Sequence, residues 1–222
     1  MARDPPGGTT LELAVFDCRR DLINFLVTPQ IRSRFMRIEP GTVTTSHTHD
    51  LGIEIFLVLE GEIAFDVAGR QATLTAGQAC YALVDEPHHL RVIGDRPATI
   101  YLSVTPHVEP THTMWSQEGG RLPPRYGGTR AVSPGLATAR ADAALARSHV
   151  AGVEMVAAAA EACAAEHRSV GPGLESALAT GDSLAAKAAL DAMAAQITEL
   201  YRTLAAMTDT WNELSARAEP QM

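Results

Sequence analysis

Short runs of β-forming residues, separated by turn residues, fill the first half of the sequence and constrain its fold most strongly. Such runs recur about every 8–12 residues, and the breaks between them hold residues such as Pro40-Gly41, Gly61 and Gly94-Asp95. This pattern favours an antiparallel sandwich or barrel over a parallel sheet with helices between its strands. The predicted strands are Ile31–Glu39, Ile53–Glu60, Glu62–Val67, Gln71–Thr75, Gln78–Leu83, His89–Ile93 and Thr99–Thr105.

The sequence changes character near residue 130, where the β-forming runs give way to alanine-rich segments. Between them, residues 117–134 contain several Gly and Pro pairs, which predict an irregular linker. The alternative is an arm that lies across the β-domain, a role for which Trp115 and Tyr126 are suited. We therefore expect a β-domain with an N-terminal outer strand, a linker and a helical hairpin, at residues 1–128, 129–135 and 136–219.

The alanine-rich region predicts two helices. Gly171-Pro172-Gly173 is a strong helix breaker and is expected to separate them, and Asp182 or Ser183 can cap the last helix. Apolar residues in that helix alternate in steps of 3 and 4, which is typical of a coiled-coil seam. The seam predicts a helical hairpin or half of an intermolecular bundle, and its residues are Leu190, Met193, Ile197, Leu200, Leu204, Met207, Trp211 and Leu214.

The charge and cysteine content exclude several classes of protein. The chain of 222 residues has a formal net charge of -8, which argues against a nucleic-acid-binding surface. No apolar stretch approaches the length that a membrane-spanning helix needs. The three cysteines are far apart and form no paired motif, which indicates a reducing compartment. We therefore expect a cytoplasmic protein without nucleic-acid or membrane partners.

Three histidines and one glutamate form the combination that can carry chemistry. His47 and His49 lie two residues apart on a predicted strand, so their side chains share one face, about 6.6–7 Å apart along it. Glu54 follows after a short connection, and His88 comes from a distant strand. Three imidazoles and one carboxylate that converge inside a barrel suit a divalent first-row metal. A buried Glu54 without a cation would be costly.

The spacing Gly41-x5-His47-x-His49-x4-Glu54-x6-Gly61 resembles the first signature motif of the cupin superfamily at every defined position. In the second motif Gly77 and His88 are in place, although three turn or wall positions depart from the usual Pro, Gly and Asn, namely Leu83, Asp85 and Val92. The resemblance covers about residues 31–106 and does not extend to the helices.

The resemblance implies a mainly β fold, in which a cupin-type double-stranded antiparallel β-barrel of jelly-roll type precedes the helical hairpin. It also implies that His47, His49, Glu54 and His88 bind one divalent transition metal per chain (Fe, Mn, Ni, Co or Zn). The other histidines are expected to be surface or core residues, namely His107, His112, His149 and His167.

Strand parity predicts which side chains surround the metal. Phe56 and Val58 share the inward face with Glu54, Leu90 points inward with His88, and Tyr101 is a further candidate for the substrate pocket. One of the arginines that precede the first motif is a candidate to face inward and bind a carboxylate; these are Arg32, Arg34 and Arg37.

The apolar residues Ile55, Leu57 and Leu59 alternate with the inward-facing ones, so both faces of this strand are apolar. Such a strand is covered on both sides. The helices are one possible cover, and the other is a second copy of the chain, because cupin-like proteins often pair through a sheet. We therefore expect a homodimer.

The resemblance implies a metal-dependent enzyme that acts on a small organic molecule, as a dioxygenase, isomerase, decarboxylase or lyase. An apolar cavity beside a redox-capable site favours Fe(II)-type dioxygenation, with Glu54 as the catalytic residue that accepts a proton. The alternative is a non-catalytic metal- or ligand-binding protein that acts as a sensor or an assembly element.

Overall fold

The computed structural model describes residues 13–126 and 142–217, which form a β-barrel followed by a helical hairpin. The strands and helices are β1 (Asn24–Val27), β2 (Arg32–Ile38), β3 (His47–Thr48), β4 (Ile53–Glu60), β5 (Glu62–Val67), β6 (Arg70–Thr75), β7 (Ala79–Ala82), β8 (His88–Val92), β9 (Ala98–Thr105), β10 (Thr113–Met114), α1 (Asp142–Thr180) and α2 (Ser183–Ser215).

The strands form two antiparallel five-stranded sheets. Their order is β1-β2-β9-β4-β7 in the first sheet and β10-β3-β8-β5-β6 in the second. The seven strands predicted from the sequence are β2 and β4 to β9, each within a residue or two of the observed bounds. The two-sheet barrel and the helices after it confirm the predicted fold class. The boundary that we expected at residues 129–135 lies outside the described residues.

The core of the barrel lies between the two sheets. On β4 the side chains of Glu54, Phe56 and Val58 are buried, while Ile55 between them is 41% exposed. This alternation follows from the two-residue period of a strand. It also places the carboxylate of Glu54 on the side where the apolar core gathers, at one end of the packed cluster of Phe56, Val58, Ile63, Phe65, Leu74, Leu90, Ile100 and Leu102.

Gly61 makes the sharp connection from β4 to β5 possible. Its φ of +83° lies in the left-handed region that favours glycine. A Cβ atom there would also come within 2.8 Å of the Ala98 backbone. The last glycine of the first motif is therefore required for both backbone conformation and space.

The segment after β10 lies against the barrel as far as residue 126. The indole N–H of Trp115 donates to the Thr48 hydroxyl at 3.1 Å, and Arg121 forms an ion pair with Asp50. Tyr126 lies 6.3 Å from Trp211, measured between ring centroids. These contacts favour the arm over the irregular linker for this part of the chain.

The two helices pack against each other as an antiparallel hairpin. Arg217 pairs with Asp142 at one end, and His149 Nδ1 lies 3.1 Å from the hydroxyl of Thr210 further along. The hairpin turns at Gly181, which has a φ of +73°. Asp182 caps α2 by accepting a hydrogen bond from the Ala185 N–H at 3.0 Å, as the sequence predicted.

The prediction that Gly171-Pro172-Gly173 separates the helices is wrong, because α1 continues through Pro172 to Thr180. Proline removes one backbone hydrogen bond and destabilises a helix interior by about 3 kcal/mol or more. Packing along the hairpin offsets this cost, since most helical stability in proteins comes from tertiary contacts. Near the turn, Ala177 of α1 and Ala186 of α2 are both buried.

Five of the eight residues of the predicted seam on α2 are partly covered within the described residues, Trp211 among them. Met193, Leu200, Met207 and Leu214 are partly buried, while Leu190, Ile197 and Leu204 are 40–52% exposed. Neither helix in the described part of the chain has a stretch long and apolar enough to cross a membrane.

The end of α2 is hydrogen-bonded to the barrel. The Asn212 side chain accepts from the Glu109 N–H at 2.9 Å and donates to the His107 carbonyl at 2.8 Å, and the Trp211 indole donates to the Glu109 carbonyl at 2.6 Å. Four residues, two from each domain, therefore hold the hairpin at the chain segment that follows β9.

We expect Asn212→Ala to destabilise the protein by about 2 kcal/mol, because it leaves two backbone groups without partners and each costs about 1–3 kcal/mol if it stays buried. Thermal or urea unfolding measures the change. Thr198→Ala, at an exposed position on the same helix, is the control. Equal stability of Asn212→Ala and the control would show that these bonds do not hold the domains together.

Candidate metal centre

Four side chains from both sheets meet at one end of the barrel. His47 on β3 stands directly opposite His88 on β8, and His49 follows β3 immediately. Glu54 is the second residue of β4, in the other sheet. One nitrogen or oxygen atom from each of the four residues lies within 4.8 Å of the others. The fold thus gathers the set of residues that the sequence singled out.

The Glu54 carboxylate is at the centre of this cluster. Its Oε2 atom lies 3.0 Å from Nε2 of His49 and 3.0 Å from Nε2 of His88. The His47 ring lies 4.4 Å from the His88 ring, measured between centroids. Glu54 is only 3% exposed, so its charge must be balanced by groups inside the protein.

A backbone carbonyl orients each of the three imidazoles. Nδ1 of His47 lies 3.0 Å from the Thr45 carbonyl, and Nδ1 of His88 lies 2.9 Å from the Glu86 carbonyl. Nδ1 of His49 contacts the carbonyl of Thr111. Carbonyls only accept, so each Nδ1 carries the proton, and in the neutral ring Nε2 keeps its lone pair. Anchors of this kind are typical of histidines that bind metals.

The donor set fits a cation, as two observations indicate. Nε2 of His47 is buried and makes no hydrogen bond within the described residues. The Nε2 atoms of His49 and His88 are acceptors when their rings are neutral, yet each faces a carboxylate oxygen, which is also an acceptor. Such an arrangement is stable only when protons or a metal ion lie among these atoms.

The pKa values of the cluster follow from burial and from these contacts. Burial lowers the pKa of His47 to about 4, which keeps this ring neutral. Burial alone would raise the pKa of Glu54, but the hydrogen bonds with His49 and His88 outweigh it and hold this pKa below its usual range. Burial lowers the pKa of His88, but the contacts with Glu54 and with the Glu86 carbonyl outweigh burial and raise it overall. An ionised carboxylate and a neutral His47 are the forms that bind metals.

Three of the predicted pocket residues lie on the inner face. Phe56 is buried with its ring 5.9 Å from the ring of His88, and Val58 and Leu90 belong to the packed core beyond it. Phe56 therefore borders the cluster directly, while Val58 and Leu90 form the apolar floor behind it.

The fourth, Tyr101, requires a correction. It stands opposite Leu57 and Phe35, on the outward face of β9, and its hydroxyl lies 3.1 Å from that of Ser33. Strand alternation turns it away from the cluster, so Tyr101 does not line the interior in this structure.

His112 is a neighbour of the cluster that the sequence did not reveal. Its ring lies 4.7 Å from that of His47 and 5.0 Å from that of His49, between centroids. Burial, with His47 beside it, lowers the pKa of His112 to about 3. A single histidine next to a two-residue strand belongs to no repeating pattern from which its orientation could be predicted. The pairing of β10 with β3 brings His112 to the site.

A cavity of about 230 Å³ opens beside the cluster. It lies between residues 50–52, 104–111 and 121–126, and its lining includes Val104 and Thr111. Val104 is the cross-strand neighbour of Glu54, and Thr111 supplies the carbonyl that orients His49. Two residues that line the cavity are thus direct neighbours of Glu54 and His49.

Comparison with known proteins identifies the class of domain. Residues 34–105 match the cupin domain family model, which is 72 of the 222 residues. The chain therefore contains a cupin domain, as the first motif predicted. No functionally curated protein matches the sequence.

Solved structures with a similar fold match part of the chain. An uncharacterised Klebsiella pneumoniae subsp. pneumoniae protein with a double-stranded β-helix domain is 23% identical, with a TM-score of 0.39, and the alignment covers 43% of this chain and 91% of that one. The protein TT1209 from Thermus thermophilus is 24% identical, with a TM-score of 0.37 and coverages of 42% and 90%. Salicylate 1,2-dioxygenase from Pseudoaminobacter salicylatoxidans is 23% identical, with a TM-score of 0.32 and coverages of 35% and 21%.

We expect His88→Ala to weaken binding of Zn²⁺ or Co²⁺ to the metal-free protein by more than about tenfold, because even loss of a supporting partner costs about 10–100-fold. Isothermal titration calorimetry measures the Kd. His89→Ala is the matched control, since His89 is the next residue on β8 and stands opposite Asp66, on the other face. Equal metal affinity in the two variants would contradict the assignment of His88 as a ligand.

Proposed function

We propose that this protein is a metal-dependent enzyme acting on a small organic molecule, with one divalent first-row ion bound by His47, His49, Glu54 and His88. The observation that carries this proposal is the convergence of three imidazoles and one carboxylate. Each imidazole is anchored through Nδ1 to a backbone carbonyl, and one ligand atom from each of the four residues lies within 4.8 Å of the others. Nitrogen and oxygen ligands of this kind accept Fe, Mn, Ni, Co or Zn.

Dioxygenation with Fe(II) is the reaction we favour. Four protein ligands leave about two positions of an octahedral ion for substrate and dioxygen. Bound Fe(II) would supply Lewis acidity and redox capacity. Phe56 excludes water from one side of the cluster, and the buried apolar side chains behind it keep the surroundings of low polarity.

Glu54 has a second role in this proposal. It would accept a substrate proton at Oε2 once that oxygen leaves the metal. His49 and His88 hold its pKa low, which keeps the carboxylate ionised but makes it a weak base as long as those contacts last. The same residues suit isomerase, decarboxylase or lyase chemistry, which also needs a buried base beside a Lewis acid.

A non-catalytic ligand sensor is the second candidate, and a specific contact favours it. Trp211 and Asn212 of α2 bond to the backbone of His107 and Glu109. Two residues further along, the Thr111 carbonyl orients His49. A movement at the metal site would therefore reach the helices through a short stretch of chain.

Oxygen uptake separates these candidates. With Fe(II) bound and a panel of small organic acids, we expect dioxygen consumption that depends on substrate and that is abolished in the Zn²⁺-loaded protein and in His88→Ala. An oxygen electrode with product analysis measures it. Conversion of a substrate without oxygen uptake would replace the dioxygenase proposal by an isomerase or lyase. Ligand binding without conversion would establish the sensor.

We also propose that the barrel pairs with a second copy through the outer face of its first sheet. Ile53, Ile55 and Tyr81 on neighbouring strands β4 and β7 are 37–55% exposed, which leaves an apolar surface next to an edge strand. The cytoplasmic location stays a prediction from the unpaired cysteines.

We expect the wild-type protein to be a dimer and Ile55→Glu to shift it towards monomer, since the new charge would be buried in the interface. Light scattering after size-exclusion chromatography measures the mass. Leu190→Glu, on the exposed stripe of α2, is the comparison variant. If Leu190→Glu alone produces monomer, the helices form the interface; a monomeric wild type would overturn the proposal.

A further inference from the structure

Two arginines of β2 face the interior of the barrel. Arg32 stands opposite Val104, which stands opposite Glu54 on the next strand. Arg34 stands opposite Leu102, which in turn stands opposite Phe56. Directly paired residues point to the same side of a sheet. Both guanidinium side chains therefore start from the face that carries Glu54 and Phe56.

Burial makes these arginines unusual. Arg32 is only 4% exposed, and burial to this extent is rare for arginine. Arg34 is partly buried, and its Nε–H is fully enclosed without a hydrogen-bond partner in the described part of the chain. Burial lowers the pKa of both residues, and the charge of Arg32 lowers that of Arg34 further. Arginine nevertheless stays protonated in proteins, so two positive charges lie inside the barrel.

The negative charges of two carboxylates act on Arg32, whereas that of Glu54 acts on Arg34. Glu109 is buried and its charge acts on Arg32 together with that of Glu54. Arg34 feels the opposing charge of Glu54, whose Oε2 atom is already shared by His49 and His88. When a divalent ion is also bound, positive charge exceeds negative charge in this interior. An anionic ligand would restore the balance.

We propose that Arg34 binds a carboxylate group of the substrate, which makes the substrate of this enzyme a small organic acid. The planar fork of a guanidinium matches a carboxylate with two parallel hydrogen bonds. The backbones of β2 and β4 lie two strand spacings apart, about 9–10 Å, and Arg34 is two residues, about 7 Å, along the strands from the level of Glu54. The resulting backbone separation of about 12 Å is one that the long Arg34 side chain and a small molecule can bridge together. Val104, between Arg32 and Glu54, also lines the cavity beside the cluster.

This inference rests on the proposed function, because it names the substrate class of the same site. Arg37 offers a matched control. It lies on the same strand, three residues further on and on the opposite face, where it is exposed and pairs with Glu39. A change at Arg37 removes the same charge from β2 without touching the interior.

The test uses benzoate and acetate as probes, with the neutral benzamide and acetamide as their isosteres. Titration calorimetry on the full-length Zn²⁺-loaded protein measures their Kd values, and metal content is determined on the same samples. We expect the carboxylates to bind at least tenfold more tightly than the amides. We expect Arg34→Gln to weaken carboxylate binding at least tenfold while metal content stays unchanged, and Arg37→Gln to leave both as in the wild type.

Three outcomes would overturn the role of Arg34: no binding of either carboxylate, equal binding in Arg34→Gln and wild type, or tighter binding of inorganic phosphate than of either carboxylate. Loss of metal from the wild type would instead overturn the proposed function. Arg34→Lys keeps the charge but not the fork, so it should also weaken carboxylate binding. This variant decides the matter if Arg34→Gln does not fold.

Discussion

The relative position of the two sheets depends on the contact between the Glu54 carboxylate and the imidazoles of His49 and His88. A carboxylate buried to this extent has lost nearly all its water, and such a loss is tolerated only when cationic or hydrogen-bonding groups replace it. Here the replacement comes from residues of both sheets, so β4 and the β3–β8 pair must be held at a fixed separation. The packed apolar cluster beneath the site provides that separation, and the burial of Glu54, His49 and His88 limits competition from water.

The backbone is as important to the site as the side chains. The three ring orientations come from the carbonyls of Thr45, Glu86 and Thr111, which are fixed by the turns and strands that contain them. The last of these belongs to a segment that is also bonded to the end of α2. The end of the hairpin is therefore bonded to the segment whose Thr111 carbonyl orients His49, which connects the two parts of the chain physically.

Much of the barrel and its central site could be predicted because both follow local rules. The two-residue period placed Glu54, Phe56 and Val58 on one face of β4, and glycines at turns marked the strand ends. The residues that the sequence did not place correctly depend on pairing between distant segments. His112 reaches the cluster through β10, and Tyr101 is turned outward by its register with β2 and β4. The continuous helix through Pro172 likewise depends on packing against α2.

The sequence by itself determined the identity and spacing of the four chemistry-bearing residues, seven of the ten strands that the described residues form, and a helix cap at Asp182 or Ser183, since these are set by residue type and local periodicity. Only the tertiary structure decided which face each arginine of β2 presents, how the helices meet the barrel and which nitrogen of each imidazole is free. Those features depend on strand register and on carbonyls far away in the chain, and no local pattern of residues encodes such distances.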